Sequence, residues 1–217
     1  MNRLLTRFLQ VFFHLLYGTF AWTYDFVAAV VSIGRWKYWI QTVLPYLTGD
    51  RILELGHGPG HLQRILHTRG LLPFGLDYSP QMGKQARENL RRNGYAQHRL
   101  TRGEAQNLPF PGQSFDCIVS TFPTEYFYHP NTLAEVRRTL KNGGRYVVLP
   151  VAWVTGKGAI DRAAAWLFKV TGQAPSDLSQ KVTERLITPI KKAGFTVQTE
   201  RVKVKFSQAL IIIAFKE

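Results

Sequence analysis

Three glycines, each separated from the next by one residue, are the first positions in this sequence that could do chemistry. Gly56, Gly58 and Gly60 stand in the run "ELGHGPG", which follows a short apolar segment and precedes a helical pattern. Glycine lets the backbone turn tightly and approach a ligand closely. Open α/β sheets bind their ligands at the carboxyl ends of the strands, so this glycine turn is a candidate binding site.

Carboxylates accompany the turn and indicate what it binds. Glu54 precedes it and Glu104 follows a later strand, whereas a dinucleotide-binding turn would have its third glycine at the position of His61. Two carboxylates are poor neighbours for a pyrophosphate, but they suit a ligand with a cationic centre. S-adenosylmethionine is such a ligand, because it carries a sulfonium and an ammonium group and no phosphate.

Asp77 is the second candidate contact, because it stands where the second strand ends in "PFGLDYSPQM". A carboxylate at that position can accept hydrogen bonds from both hydroxyls of a ribose. Asp77 or Ser79 could also cap the following helix, and capping is compatible with ribose binding. After the third strand, Glu104 and Ala105 can place a carboxylate and a backbone amide beside an adenine edge.

These residues need a scaffold, and the sequence alternates strand and helix patterns. The predicted strands are Arg51–Leu55, Leu72–Leu76, His98–Arg102, Phe115–Ser120 and Arg145–Pro150, and the predicted helices are Gly60–Thr68, Ser79–Asn93 and Asn131–Lys141. This alternation predicts a parallel sheet covered on both faces. The final run "FTVQTERVKVKFSQALIIIAFKE" contains two strand patterns with little between them, which predicts an antiparallel hairpin.

Residues 1–48 have a helical, aromatic-rich pattern, which predicts an N-terminal cap ahead of an α/β domain over residues 49–217. Apolar residues recur on one side of the first helix, namely Leu5, Phe8, Leu9, Phe12, Phe13 and Leu16. Such an amphipathic helix lies on a membrane or packs on its own domain. The run is too broken for a membrane span. A helical insertion is predicted at about residues 151–180.

The charge balance favours an anionic partner. The formal net charge is +14 and the isoelectric point is about 10.2. Nucleic acid, an acidic membrane surface and an acidic small molecule all fit, and the alternative is a basic, solvated surface without a specific partner. Cys117 is the one cysteine and stands in an apolar run, so we expect it to be a buried packing residue.

From Arg51 to about Pro150 the chain resembles the class I S-adenosylmethionine-dependent methyltransferases with a type 11 methyltransferase domain. Four ordered motifs carry the resemblance: "ELGHGPG", "GLDYSPQM", "GEAQNLPFPGQSFDCIVS" and "LAEVRRTLKNGGRYVVL". The resemblance implies an α/β fold, a Rossmann-like three-layer sandwich whose seven-stranded, mostly parallel sheet has an antiparallel last strand. It also implies S-adenosylmethionine as the cofactor, with S-adenosylhomocysteine as product and no metal.

The resemblance distributes the cofactor over residues of this chain. The methionine part is expected at Glu54, Gly56, Gly58 and Gly60, the ribose at Asp77 with Tyr78 and Met82 nearby, and the adenine beside Glu104 and Ala105. Thr121 and Phe122 are expected beneath the reacting methyl group, and His57 and Tyr24 are further candidate cofactor contacts.

The ubiquinone/menaquinone C-methyltransferases are similar over two further runs. These are "YDFVAAVVSIGRWKYW" near the N-terminus and "GLDYSPQMGKQARENLRRNG". The chain departs from those enzymes at "FPTEYFYHP" and over residues 151–180. The cofactor carries over from this second resemblance, whereas the quinone acceptor is one of several candidates.

Methyl transfer from a sulfonium is an in-line displacement, in which a protein mainly aligns the acceptor, the methyl group and the sulfur. A base is needed only where the acceptor carries a proton that must leave. His129 and Tyr126 are the candidate catalytic residues, because both follow the strand that should end beneath the methyl group.

Three classes of acceptor stay open. A small lipophilic acceptor at a membrane surface, such as a quinone precursor or a phospholipid headgroup, fits the amphipathic N-terminus and the basic charge. A soluble metabolite fits if the first helix packs as a lid. Nucleic acid fits the charge, although "TFPTEYF" stands where amino-methylating nucleic-acid enzymes have an N/D-P-P-Y/F motif. We expect a cytoplasmic enzyme, attached to the inner face of the membrane if the acceptor is lipophilic.

Overall fold

The computed structural model describes residues 36–155 and 180–217. The strands in these ranges are β1 (Ile52–Leu55), β2 (Phe74–Asp77), β3 (Arg99–Arg102), β4 (Phe115–Thr121), β5 (Leu140–Val154), β6 (Thr196–Val204) and β7 (Ser207–Phe215). The α-helices are α1 (Trp36–Ile40), α2 (His61–Thr68), α3 (Pro80–Arg92), α4 (Pro130–Thr139) and α5 (Gln180–Lys192). Two 3₁₀ helices cover Gln41–Tyr46 and Glu125–Tyr128.

The described strands form one sheet in the order β3-β2-β1-β4-β5-β7-β6. Strands β1 to β5 pair with one another in parallel, and β7 runs antiparallel between β5 and β6. This topology confirms the predicted fold class, a mostly parallel seven-stranded sheet whose last strand is antiparallel. It also confirms the predicted hairpin, because a short turn can join only antiparallel neighbours.

The sheet has a separate apolar core on each face, because side chains alternate along each strand. Leu53 of β1 belongs to one core, which α4 and α5 cover with Val136 and Ile190. Ile52 belongs to the other core, which α1 and α2 cover with residues such as Leu66. The three layers therefore follow from the alternation of strands and helices in the sequence.

The residues just before the predicted domain boundary share the second core. Trp39 and Val43 are 1% and 0% exposed and pack in it. The predicted amphipathic helix within residues 1–17 and most of the predicted insertion lie outside the described residues. The first residues of that insertion, Val151 to Val154, continue β5. No helix in the described part of the chain is long and apolar enough to span a membrane.

The end of α4 differs from the prediction, which continued the helix to Lys141. The helix ends at Thr139, and β5 begins at Leu140, which pairs with Phe115 of β4. Lys141 donates from Nζ to Asp116 Oδ1 at 2.6 Å, so long-range pairing overrides the helical pattern. Cys117 is buried and free, which confirms its predicted packing role.

Candidate functional site

The three glycines of the turn have three different surroundings. A methyl group at Gly56, which has a φ of 70°, would collide with the hydroxyl of Tyr126. At Gly60 an added Cβ would lie 3.0 Å from the Cβ of Ala86, so this glycine lets α3 pack closely. Gly58 has a φ of 52°, and an added Cβ would meet nothing within 4 Å. Gly58 thus faces open space, which is the room that a ligand requires.

Asp77 ties this turn to the next strand and helix. Its Oδ2 accepts from the backbone N–H of Gly58 at 2.8 Å, and its Oδ1 accepts from that of Ser79 at 2.8 Å. Each carboxylate oxygen has a further lone pair, so both remain able to accept a hydroxyl. The helix α3 begins after Ser79, whose Oγ accepts from Met82 N at 3.3 Å. Of the two capping candidates, the structure places Ser79 at the cap.

A cavity of about 760 Å³ opens at this edge of the sheet. Its volume falls within the roughly 300–1,000 Å³ of small-molecule sites. Ten of the residues predicted from the sequence line it, so the fold brings most of the candidate site together: Gly56, Gly58, Asp77, Tyr78, Met82, Glu104, Ala105, Thr121, Phe122 and Tyr126. Gly60, Glu54, His57 and His129 are not among the lining residues.

The charges of the lining decide what kind of ligand fits. Among the described lining residues the charged ones are Asp77 and Glu104, and both are acidic. A phosphate would meet no cation there, whereas a ligand with a cationic centre and ribose hydroxyls would meet acceptors of the right kind. The residues present therefore fit S-adenosylmethionine better than a nucleotide phosphate.

The loop after β3 is fixed against the end of β2. The N–H of Gly103 donates to the carbonyl of Asp77 at 3.1 Å, and the N–H of Asn107 donates to that of Glu104 at 3.1 Å. Directly after β2, Tyr78 is 66% exposed although it is aromatic. An exposed ring at the rim of a cavity gains most when a flat ligand such as adenine covers it.

Glu54 lies behind the cavity wall rather than in it. Its side chain is 1% exposed, and its Oε2 accepts from Gln63 Nε2 at 2.9 Å. Glu54 points to the same face of β1 as Ile52, because side chains two positions apart share a face. Burial raises the pKa of Glu54 to about 8, and the charge of Asp77 adds to this shift. The carboxyl group therefore keeps its proton to a higher pH than an exposed glutamate does.

His57 lies behind the wall as well. It is 4% exposed, and its Nδ1 lies 2.7 Å from the carbonyl of Gly58, which accepts from it. Burial lowers the pKa of His57, so the ring is neutral and holds the shape of the turn. The hydrogen bond from His57 to the Gly58 carbonyl therefore stabilises the backbone of the turn.

Tyr126 joins the cavity to the end of β1. Its hydroxyl donates to the carbonyl of Leu55 at 3.0 Å and lies 2.9 Å from Ser120 Oγ, which donates to the same carbonyl at 2.8 Å. Burial raises the pKa of Tyr126 above its usual value, so the hydroxyl stays protonated. A protonated tyrosine can orient a ligand by a hydrogen bond, but it cannot act as a base.

His129 is the other candidate catalytic residue, and the structure places it away from the cavity. Its ring is exposed, and Nδ1 accepts from the N–H of Asn131 at 3.2 Å. That hydrogen bond caps α4, which begins at Pro130. The geometry therefore favours a capping role for this histidine.

Phe122 has a backbone conformation that non-glycine residues seldom adopt. Its φ is 49°, at the point where β4 ends, and its N–H donates to the carbonyl of Leu149 at 2.7 Å. Its ring stacks on Trp36 with centroids 4.1 Å apart, and Trp39 lies at 6.1 Å. Left-handed non-glycine residues cost about 1–3 kcal/mol and concentrate at functional sites. Phe122 is held at the cavity by these aromatic contacts.

Sequence reasoning missed several lining residues and one supporting side chain. Leu76, Gly103, Gln106, Pro123 and Thr124 also line the cavity. Their positions one or two residues from predicted contacts were the available signal. Gln63, which fixes Glu54, carried no such signal, since it is a polar residue within a helix. Tyr24 lies outside the described residues. The described residues hold no group of three side chains suited to a metal ion.

Known proteins resemble this chain in sequence and in structure. Residues 52–144 match the sequence model of a family described as a methyltransferase domain. The demethylmenaquinone methyltransferase of Thermotoga maritima is 31% identical over 207 residues, which cover 85% of this chain and 88% of the relative. The chain spans a little over half the length of several other curated relatives, with 56 or 57% covered.

Two solved structures share the fold. A protein from Methanococcus maripaludis, described as a candidate S-adenosyl-L-methionine-dependent methyltransferase, gives a TM-score of 0.63 at 18% identity and covers 91% of this chain and 90% of that one. Phosphoethanolamine N-methyltransferase 2 from Haemonchus contortus was solved with phosphomonomethylethanolamine and S-adenosylhomocysteine. It gives a TM-score of 0.60 at 19% identity and covers 84% of this chain and 53% of that one.

Proposed function

Because the chain belongs to the family of S-adenosylmethionine-dependent methyltransferases, we propose that it methylates a small lipophilic acceptor at a membrane surface. The protein is a methyltransferase, and its cofactor is S-adenosylmethionine. The class of acceptor, the membrane surface and the roles of individual residues are the proposed part.

The proposed cofactor orientation follows the cavity wall from β2 to β4. Asp77 accepts the ribose hydroxyls with its free lone pairs, and Tyr78 covers the adenine. The backbone around Gly58 borders the methionine part, and Phe122 borders the side where the acceptor enters. When bound, the cofactor supplies a methyl group already activated on a sulfonium, so these residues need only orient the two reactants.

The lining of the cavity is the observation that carries the proposal of a lipophilic acceptor. The chain has a net charge of +14, yet no lysine or arginine stands among the described lining residues. Recognition of nucleic acid rests largely on cations placed against phosphates. Beyond the end of β4 the lining offers Phe122, Pro123 and Tyr126 instead. An uncharged ring or chain gains from such contacts by leaving water.

The same lining supports a reaction without a histidine base. No histidine is among the described residues that line the cavity, and the Tyr126 hydroxyl stays protonated. An acceptor that ionises readily by itself, or whose proton leaves to water, needs no such base. The relatives named for demethylmenaquinone agree with an apolar acceptor of this kind, and a quinone precursor is our first candidate.

The experiment uses methyl-labelled S-adenosylmethionine, the purified protein and a total lipid extract. We expect label to enter the organic phase, and Asp77→Ala to lower this transfer several-fold at cofactor concentrations near the wild-type Kd. Label that enters only water-soluble metabolites from a matched aqueous extract would overturn the lipophilic acceptor. Label in added RNA would overturn it in favour of nucleic acid.

The membrane surface is tested separately by deleting Met1–Tyr17. The apolar stripe predicted in this segment should add to vesicle binding, so the deletion should lower co-sedimentation with anionic vesicles. The label transfer from detergent-solubilised acceptor should persist in the shortened protein. Unchanged co-sedimentation would show that this segment is not the membrane anchor.

A further inference from the structure

The turn between β6 and β7 exposes an aromatic and a basic side chain at its tip. It consists of Lys205 and Phe206 alone. Phe206 is 65% exposed, and Lys205 is exposed and has a φ of 51°. Glycine is the usual residue where a two-residue hairpin turn needs a positive φ. Lys205 therefore holds a strained conformation of the kind that concentrates at functional sites.

The surroundings of the tip are basic and aromatic. Lys203 is exposed on β6, and the run "RVKVKF" that ends in Phe206 contains no acidic residue. Lys205 Nζ lies 4.0 Å from the ring centre of Tyr38 on α1, and Lys37 Nζ lies 5.3 Å from the same ring. Both ammonium groups therefore lie against one aromatic ring, a contact that is attractive for each of them.

The tip lies at the same edge of the sheet as the cavity. Ser207 at the start of β7 pairs with Val154 at the carboxyl end of β5, and the other parallel strands end at this edge too. Trp39 donates from Nε1 to Ser207 Oγ at 2.8 Å. Its neighbour on α1, Trp36, stacks on Phe122 of the cavity. Ser207, Trp39 and Phe122 therefore connect the tip with the side of the cavity where the acceptor would enter.

We infer that this tip, formed by Lys203, Lys205 and Phe206 with Lys37 and Tyr38, binds the surface of an anionic membrane. The lysines complement the negative headgroups, and the exposed ring of Phe206 enters the boundary between headgroups and acyl chains. The contact would turn the cavity edge toward the lipid, so that an apolar acceptor reaches Phe122 without crossing water. The inference deepens the proposed function and rests on it for the identity of the acceptor.

The test measures binding of the full chain to vesicles of phosphatidylcholine with 30% phosphatidylglycerol, and to vesicles of phosphatidylcholine alone. Each lysine near an anionic surface contributes about five-fold to binding, so Lys203→Ala with Lys205→Ala should weaken it about 30-fold. Phe206→Ser should weaken it roughly ten-fold through lost apolar burial. Both variants should keep the wild-type affinity for S-adenosylhomocysteine, which shows that the domain is folded.

Lys191→Ala with Lys192→Ala is the matched control. These two lysines are exposed at the end of α5, which leads into β6 at the opposite edge of the sheet. The control should change vesicle binding by less than two-fold. An equal loss of vesicle binding in the two lysine pairs would show a diffuse effect of charge. Unchanged vesicle binding by the tip variants would place the membrane contact elsewhere. Either result overturns the inference. Tighter binding to a single-stranded RNA than to the vesicles, lost in the tip variants, would overturn it too.

The result is separable from the proposed function. If the protein transfers label to lipid and the tip variants bind vesicles like the wild type, only the proposed membrane contact of the tip is wrong. If vesicle binding depends on the tip and the protein labels only soluble metabolites, the proposed lipophilic acceptor is wrong. The tip then stays a contact for anionic lipid.

Discussion

Replacing Glu54 with glutamine should stabilise the protein, and the gain should increase as the pH rises from 5 to 8. The Glu54 carboxyl is buried under α2, where Gln63 donates to it at 2.9 Å. Burial raises its pKa from 4.5 to about 8. Glutamine is neutral at every pH and has nearly the same shape. Like the protonated carboxyl, its amide carries a donor, and the nearby Gln63 Oε1 is buried without a partner in the described part of the chain.

The magnitude follows from the protons bound in the two states. Between pH 4.5 and 8 the folded protein keeps the Glu54 proton, whereas the unfolded chain has released it. The unfolding free energy of the wild type therefore falls by about 1.4 kcal/mol per pH unit from this group. The contribution of protonated Glu54 to the unfolding free energy is fully present below pH 4.5. It is lost as the pH rises toward 8, and the total loss is about 4–5 kcal/mol. The difference in unfolding free energy between the variant and the wild type should therefore be about 3 kcal/mol larger at pH 7 than at pH 4.5.

The assay is urea unfolding followed by tryptophan fluorescence at several values between pH 5 and pH 8. Subtracting the unfolding free energy of the wild type from that of Glu54→Gln cancels the contributions of groups that titrate in both proteins, among them His57. Glu104→Gln is the matched control, because Glu104 lies at the same cavity but is exposed. Parallel curves for Glu54→Gln and wild type would refute the reasoning, since the folded protein would then hold an ionised Glu54.

Three further substitutions test the glycine turn, the cofactor contact and the candidate base. Gly56→Ala should lower the unfolding free energy by at least about 1–2 kcal/mol, because alanine is strained at positive φ and its methyl meets the Tyr126 hydroxyl. Adding Tyr126→Phe removes that hydroxyl and should recover part of the loss in thermal unfolding. No recovery would mean that the collision is unimportant. Asp77→Ala should weaken S-adenosylhomocysteine binding at least about ten-fold by calorimetry, because two backbone donors and the ribose lose their acceptor. Glu88→Ala is the control, and an equal affinity of the two variants would contradict the ribose assignment. His129→Asn keeps a capping side chain but removes the ring that could take a proton, so kcat should be retained, and a hundred-fold loss would restore the base.

The sequence by itself determined the features that depend on local chemistry. A glycine turn after an apolar strand, a carboxylate at the next strand end and the alternation of strands and helices each need only neighbouring residues to be recognised. Gly58, Asp77 and Ala105 consequently line one cavity, as their positions after successive parallel strands predicted. The antiparallel hairpin was predictable for the same reason, since two strands with a two-residue turn have no other way to pair.

Only the tertiary structure decided which candidate side chains reach the cavity. Glu54 and His57 stand in the glycine motif, but the packing of β1 and the turn beneath α2 buries them behind the wall. Gly56 is required by the Tyr126 hydroxyl, which comes from a segment far along the chain. The position of Lys205 at the cavity edge likewise depends on β7 running antiparallel beside β5. These relations are set by contacts between distant segments, whose register and burial no local pattern encodes.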